Sequence, residues 1–199
     1  MKVVDIIFAL IAGRIIGFLV GDFLHEWGIE TNAYGTLAIW VALPFFALLC
    51  LYLAHIIGRK FLFVFQAAKH LLVGAVATIF DLKLFEFLIW IFSLVISLNP
   101  LIAKGISFLA ATSLKYWGNK YWTFERHEKE NWHKEALNFF LINLVGVLID
   151  VGTFHFCTNV LGPQFGTTPG VWLKLSVIIA AAIAAIWNFF GDKLVVFKK

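Results

Sequence analysis

Apolar residues come in long unbroken runs separated by short polar stretches, and these runs organise the chain. They predict helices near residues 3–24, 36–58, 70–96, 101–123, 136–160 and 171–191. At 1.5 Å per residue each is long enough to cross a hydrocarbon layer of about 30 Å. Barrel strands would alternate apolar and polar positions, which these runs do not. In lipid the backbone must satisfy its own hydrogen bonds, so helices are the remaining solution. The expected fold is an all-α membrane protein of about six transmembrane helices.

Composition agrees: of 199 residues, 61% are hydrophobic and 14% charged. A soluble domain this size cannot hide so much apolar surface, which excludes a soluble enzyme, and a disordered chain would be far more polar. The net charge of +4 would raise nucleic-acid binding in a soluble protein, but here the basic residues cluster between the runs. Arg59, Lys60 and Lys69 fall between spans two and three, Lys120, Arg126, Lys129 and Lys134 between four and five, and Lys193, Lys198 and Lys199 at the end. The positive-inside rule turns these stretches, and both termini, to the cytoplasm. Asp22, Glu26, Glu30, Asn99, Pro100 and residues 162–170 are then expected outside. The expected location is the cytoplasmic membrane, with the bilayer as partner and no nucleic acid.

Trp117, Tyr121 and Trp122 are expected at the inner interface, where amphipathic rings gather. The nearby lysines read as contacts to anionic lipid. Cys50 and Cys157 lie singly in apolar runs, without the spacing of a zinc site or a disulfide framework. The first run is longer than a signal-peptide core and lacks a small-x-small cleavage site, so it is expected to be retained.

The chain also repeats itself. Tyr116-Trp117-Gly118-Asn119-Lys120 followed by Phe124 matches Phe189-Phe190-Gly191-Asp192-Lys193 followed by Phe197. Asp81-Leu82 in span three matches Asp150-Val151 in span five, with Glu86 and His155 five residues after the aspartates. Residues 66–127 and 134–199 therefore read as two copies of one helical hairpin. Residues 1–62 form an N-terminal helix pair without a counterpart, ahead of a four-helix domain at 63–199.

Asn119-Lys120-Tyr121-Trp122-Thr123-Phe124, the opening Lys69-His70-Leu71-Leu72-Val73-Gly74 and Asp81 resemble the GtrA-like family of small membrane proteins. Those proteins are built from four spans as two hairpins, each ending in an Asn-x-x-Trp-x-Phe-like signature. The second signature survives here as Asp192-Lys193-Leu194-Val195-Val196-Phe197, without its tryptophan. The resemblance covers residues 66–199 and leaves the first two spans outside it. It implies handling of polyprenyl-phosphate-linked sugars, usually as flipping between leaflets for cell-surface glycan assembly. An accessory role beside a glycosyltransferase is also proposed for some members.

Ionisable groups inside apolar helices cost about 3 kcal/mol each on insertion scales and ask for a reason. Gly74, Ala77, Thr78 and Asp81 share one face of span three, and Asn143, Gly146 and Asp150 one face of span five. Such a face suits either close packing or a wet groove. Lys104 and Lys174 follow Asn99-Pro100 and Pro169-Gly170 by about one turn, near helix N-termini on the outer side. An anion held there by lysine and free amides would be favoured, and phosphate fits; the alternative is a lysine snorkelling to the headgroups. Lys104, Ser107, Ala111, Lys115 and Asn119 line one stripe of span four, and Lys174, Ala181, Ala185 and Asp192, with Asn188 adjacent, a comparable stripe of span six. Lys83 and Glu86 are spaced to neutralise each other, Arg14 has no partner visible in the sequence, and His155 reads as a hydrogen-bonded packing residue.

There is no P-loop, HExxH or GxSxG motif, no metal-binding carboxylate pair and no soluble lobe for a nucleotide, so no cofactor, metal or catalysis is expected. The leading expectation is a lipid-linked sugar translocase with a polar groove between the hairpins. Lys115 and Lys120, with Lys193 in the second copy, receive the phosphate inside, and Lys104 and Lys174 attract it outside. Asp81, Asp150, Asn119, Asn143 and Asn188 meet the sugar. The alternatives are a platform recruiting a glycosyltransferase through residues 125–135 and a small-solute transporter, and a homo-oligomer would suit each.

Overall fold

The computed structural model describes the backbone of residues 1–26, 33–95, 100–128 and 131–198. Among these the chain is helical, with no strand: α1 Val3–Glu26, α2 Ala33–Gly58, α3 Leu62–Val95, α4 Pro100–Gly118, α5 Trp132–His155 and α6 Pro169–Gly191. Three of the last four helices continue into π-helical turns: α4 into Asn119–Thr123, α5 into Phe156–Leu161 and α6 into Asp192–Val196. Each turn ends on a hydrogen bond that skips five residues, from Phe124 N to Asn119 O, Gly162 N to Cys157 O and Phe197 N to Asp192 O.

Among the described residues three stretches are long and apolar enough to cross a membrane: Tyr34–Gly58, Trp132–Leu161 and Leu175–Val196. Their outward surface is greasy, with Phe45, Leu148 and Ile178 each more than 60% exposed. Water would penalise such patches, whereas lipid solvates them, so this is a membrane protein. Asn99 and Glu30 lie outside the described residues, as do the side chains of Asp22, Glu26, Pro100 and Lys174.

The chain forms two compact units, Met1–Glu125 and Arg126–Lys199. In the first, α1 packs on α2 and both reach α3, which pairs with α4. The α1–α2 crossing has a local cause. Pro44 interrupts α2, and with no N–H it leaves the Trp40 carbonyl one turn earlier without its helical donor. Arg14 of α1 supplies that donor, Nη1 to Trp40 O at 2.9 Å. Gly13 makes the approach possible, because a Cβ there would stand 2.5 Å from Pro44 Cα. Further along, Ala9, Leu51, Val73 and Trp122 form a buried core.

In the second unit α5 pairs with α6. Trp172 Nε1 donates to Cys157 O at 2.8 Å and Trp187 Nε1 to Ile142 O at 3.1 Å. These contacts set an antiparallel hairpin, since partners advance along α6 as they retreat along α5. They also fix its rotation: Ser176, Ala180 and Ala184 are buried, while Ala181 is exposed. The expected stripe through Ala181 and Ala185 is therefore one residue out of phase with the packed face.

Candidate functional site

Helix α4 begins on Pro100, which suits a first helical position because its missing N–H is unneeded there. Lys104 follows in the second turn and meets Asp81 of α3, Nζ to Oδ2 at 2.5 Å. Ser107, fully buried one turn later, donates to Asp81 Oδ1 at 2.6 Å. Both carboxylate oxygens are thus engaged. The Asp81 side chain is 19% exposed but that of Lys104 is 51% exposed, so the ammonium keeps an open side for a second acceptor. Sequence spacing put Lys104 and Asp81 on separate helices in separate roles; the hairpin brings them together.

Toward the other end of the same hairpin lies a second polar cluster. Asn119 is fully buried: its Oδ1 accepts from Thr123 Oγ1 at 3.1 Å, and it shares a side-chain hydrogen bond with His70. Lys115 lies close enough to His70 to interact electrostatically. Lys120, expected to receive a phosphate, is instead 1% exposed, donating to Tyr116 Oη at 3.2 Å. Gly118 allows this turn to seat, for a Cβ there would stand 2.8 Å from Val73 Cγ1.

Beside it sits an ion pair that the sequence reading missed. Lys69 and Asp5, both 2% exposed, meet at 2.6 Å. Trp122 Nε1 donates to Asp5 Oδ1 at 3.0 Å, and the Lys2 backbone N–H to Oδ2 at 2.7 Å. Lys69 also lies 4.5 Å from the Phe65 ring centroid. At the rim, Lys2 binds Glu125 at 2.6 Å. That contact is the main reason the Glu125 carboxyl is held below its ordinary range and the Lys2 ammonium above its own. Lys69 was expected in a loop, but α3 starts at Leu62, which puts it inside a helix. Trp122 was expected at the interface, yet it is 6% exposed and stacked on Phe8 at 4.9 Å. Trp117 and Tyr121 do stay exposed, stacked at 5.5 Å.

In the second unit Asp192 is fully buried and Lys193 lies 5.7 Å from the Phe189 ring. Asn143 is buried and donates to Phe139 O at 2.8 Å. Asn188 lies directly over Gly146, where any Cβ would collide with its amide. Its Oδ1 is buried with no hydrogen-bond partner among the described residues. Asp150 is half-buried on α5, and no described side chain forms an ion pair with it.

Other polar residues are placed as follows. Lys83 and Glu86 do pair, at 3.0 Å, and Asn159 Nδ2 approaches His155 Nδ1 at 2.8 Å. A Cβ at Gly74 would meet open space, while Ala77 is buried, so only part of that small face is packed. Among the described residues no group of His, Cys, Asp and Glu has metal-binding geometry.

Apolar helices that carry a buried ion pair and buried amides, several of them closed by π-helical turns, define a membrane protein with polar sites within its helical units. The chain belongs to the GtrA/DPMS transmembrane-domain family, whose model matches residues 69–197. No curated protein and no solved structure matches it significantly.

Proposed function

We propose that the protein carries a polyprenyl-phosphate-linked sugar between leaflets of the cytoplasmic membrane, for glycan assembly outside, without altering it chemically. The observation behind this reading is the Lys104–Asp81–Ser107 cluster, a hydrogen-bonding charge pair within an apolar hairpin whose ammonium keeps an open side. An anionic headgroup in hydrocarbon faces a desolvation cost of order 10 kcal/mol or more. A lysine already held by a carboxylate offers it a hydrogen-bonded stop, while the prenyl tail stays in lipid.

In this reading all six helices span the membrane, both termini face the cytoplasm, and residues 63–199 are the carrier domain behind an N-terminal helix pair. Two hairpin copies are supported by matched packing. Gly118 seats against Val73 and Gly191 against Ile142, where a Cβ would stand 2.6 Å from Cγ2. His70 faces Phe124 at 6.4 Å, as Phe139 faces Phe197 at 6.1 Å. Asp150 and Lys174 take the roles of Asp81 and Lys104 in the second copy. Lys115 meets the phosphate on the inner side, where a membrane glycosyltransferase supplies the lipid. Asn119, Lys120, Asn143, Asn188 and Lys193 shape the polar surroundings of the path.

The test uses liposomes holding the purified protein and a short-chain polyprenyl-phosphate sugar, and follows access of an impermeant reagent to that lipid. Equilibration faster than in protein-free liposomes, and slowed in Lys104→Ala and Lys174→Ala, is the expected result. Rates equal to protein-free liposomes would overturn autonomous flipping and leave recruitment of a glycosyltransferase as the function.

A further inference from the structure

The first unit contains a cavity of about 590 Å³ at the junction of α1, α2, α3 and α4. That volume lies within the range of about 300–1,000 Å³ typical of small-ligand sites. Its walls are apolar, with Phe18, Phe80 and Leu114 each at least 40% exposed, so it opens sideways toward lipid. Two cations line it, Arg14 and Lys83. Lys83 is engaged by Glu86, but no described residue matches Arg14 in charge. Its described contacts are the neutral Trp40 carbonyl at 2.9 Å and the Trp40 ring face at 4.2 Å, with no carboxylate among the described residues. One N–H of the guanidinium satisfies the carbonyl that Pro44 leaves bare; the fork retains further donors.

Depth narrows the occupant. Arg14 is the twelfth of 24 residues in α1, about 17 Å from its start, which is mid-membrane if α1 spans. A resident phospholipid holds its phosphate at the rim, about 15 Å away, and presents only its tails at that level. A lipid anion that meets Arg14 is therefore one in transit. We infer that the groove between the N-terminal helix pair and the first hairpin binds a polyprenyl phosphate midway through its passage, with its tail on Phe18 and Phe80 and its phosphate on Arg14. This rests on the proposed function and gives the first two helices a part in it.

The experiment embeds the full chain in nanodiscs with farnesyl phosphate carrying a diazirine on its terminal isoprene, and maps the cross-linked peptides. Labelling is expected on α1 around Phe18 and on α3 around Phe80. Excess unlabelled polyprenyl phosphate should suppress it, and equal phosphatidylglycerol should not. Arg14→Gln keeps an amide donor for Trp40 O but removes the charge, and should reduce labelling about tenfold, the effect of one lost charge-assisted hydrogen bond. Ile15→Trp, which fills the groove and leaves Arg14 in place, should do the same. Absence of label on α1, label indifferent to both variants, or equal protection by phosphatidylglycerol would overturn the inference. The protection arm uses the unaltered protein and so does not depend on either variant folding. Wild-type translocation without α1 labelling would sink this site alone; α1 labelling without translocation would sink the proposed function.

Discussion

In the first unit the π-helical turn Asn119–Thr123 carries Trp122 inward, where its indole holds Asp5 of α1 and Asp5 holds Lys69. In the second unit the turn Asp192–Val196 repeats the backbone, yet Val195 stands where the tryptophan would be and is 58% exposed. The surrounding frame is alike: Tyr116 and Phe189 are buried one turn before the lysines, and Phe124 and Phe197 close the turns. Asn119 and Asp192 are both fully buried. The difference is that α1 delivers a carboxylate to the first turn, and the tryptophan is its hydrogen-bond donor. Tryptophan at this step thus acts here as a strut between the N-terminal helix and the hairpin, while the turn at Asp192–Val196 forms without one.

The largest expected break comes from Asp5→Ala, which leaves Lys69 charged and buried with only the exposed Glu125, 3.6 Å away, as counter-charge; losing one partner of a buried pair costs about 3–5 kcal/mol, and Glu125 offsets part of it. Thermal unfolding in detergent should show it, and Asp5→Leu combined with Lys69→Met should recover most of the loss. A double variant no better than the single would show that the pair is not what holds α1. Next comes Trp122→Phe, which keeps the ring but removes the donor to an ionised carboxylate, a loss of about 1.5–3 kcal/mol. By contrast Val195→Trp, at an exposed position, should change stability by about 0.5 kcal/mol or less.

Gly118→Ala and Gly191→Ala sharpen the shared half of the comparison. Each puts a methyl against a branched side chain, so overpacking costs about 1–3 kcal/mol, less about 1 kcal/mol of gained helix propensity. The two should lose similar stability, and Val73→Ala and Ile142→Ala should relieve their own partners but not each other's. A loss in one unit and none in the other would separate the two packings. The smallest effect is that of pH on Lys2–Glu125. The Glu125 pKa is lowered from 4.5, so this link contributes fully above that value and fades as pH falls through the lower folded one. The stability gap between the wild type and Glu125→Gln, read by thermal unfolding, should stay flat from pH 7 down to about 5, at the small scale of an exposed ion pair, and close below about 4.

Long apolar runs made the helices legible, because span length is set by membrane thickness and needs no partner. Helix rotation was less legible. Asp81 and Lys104 are 23 residues apart, and only the pairing of α3 with α4 decides that they meet. Asp5 escaped notice because a carboxylate so near the N-terminus reads as a terminal charge, and its partner Lys69 read as a loop cation. Arg14 could not be explained until Pro44 was seen to bare a carbonyl on the neighbouring helix. The π turns left no compositional trace beyond the signature residues themselves.

The central claim, that Lys104–Asp81 serves a passing headgroup and is more than a structural lock, is tested most directly by translocation rates of Lys104→Gln and of Lys104→Gln combined with Asp81→Asn. Removing both charges should restore much of the stability lost in the single variant, since no partly buried carboxylate is left without its counter-charge. The account predicts that translocation stays lost in the double variant while its thermal stability returns. A stable double variant that translocates at the wild-type rate would contradict it.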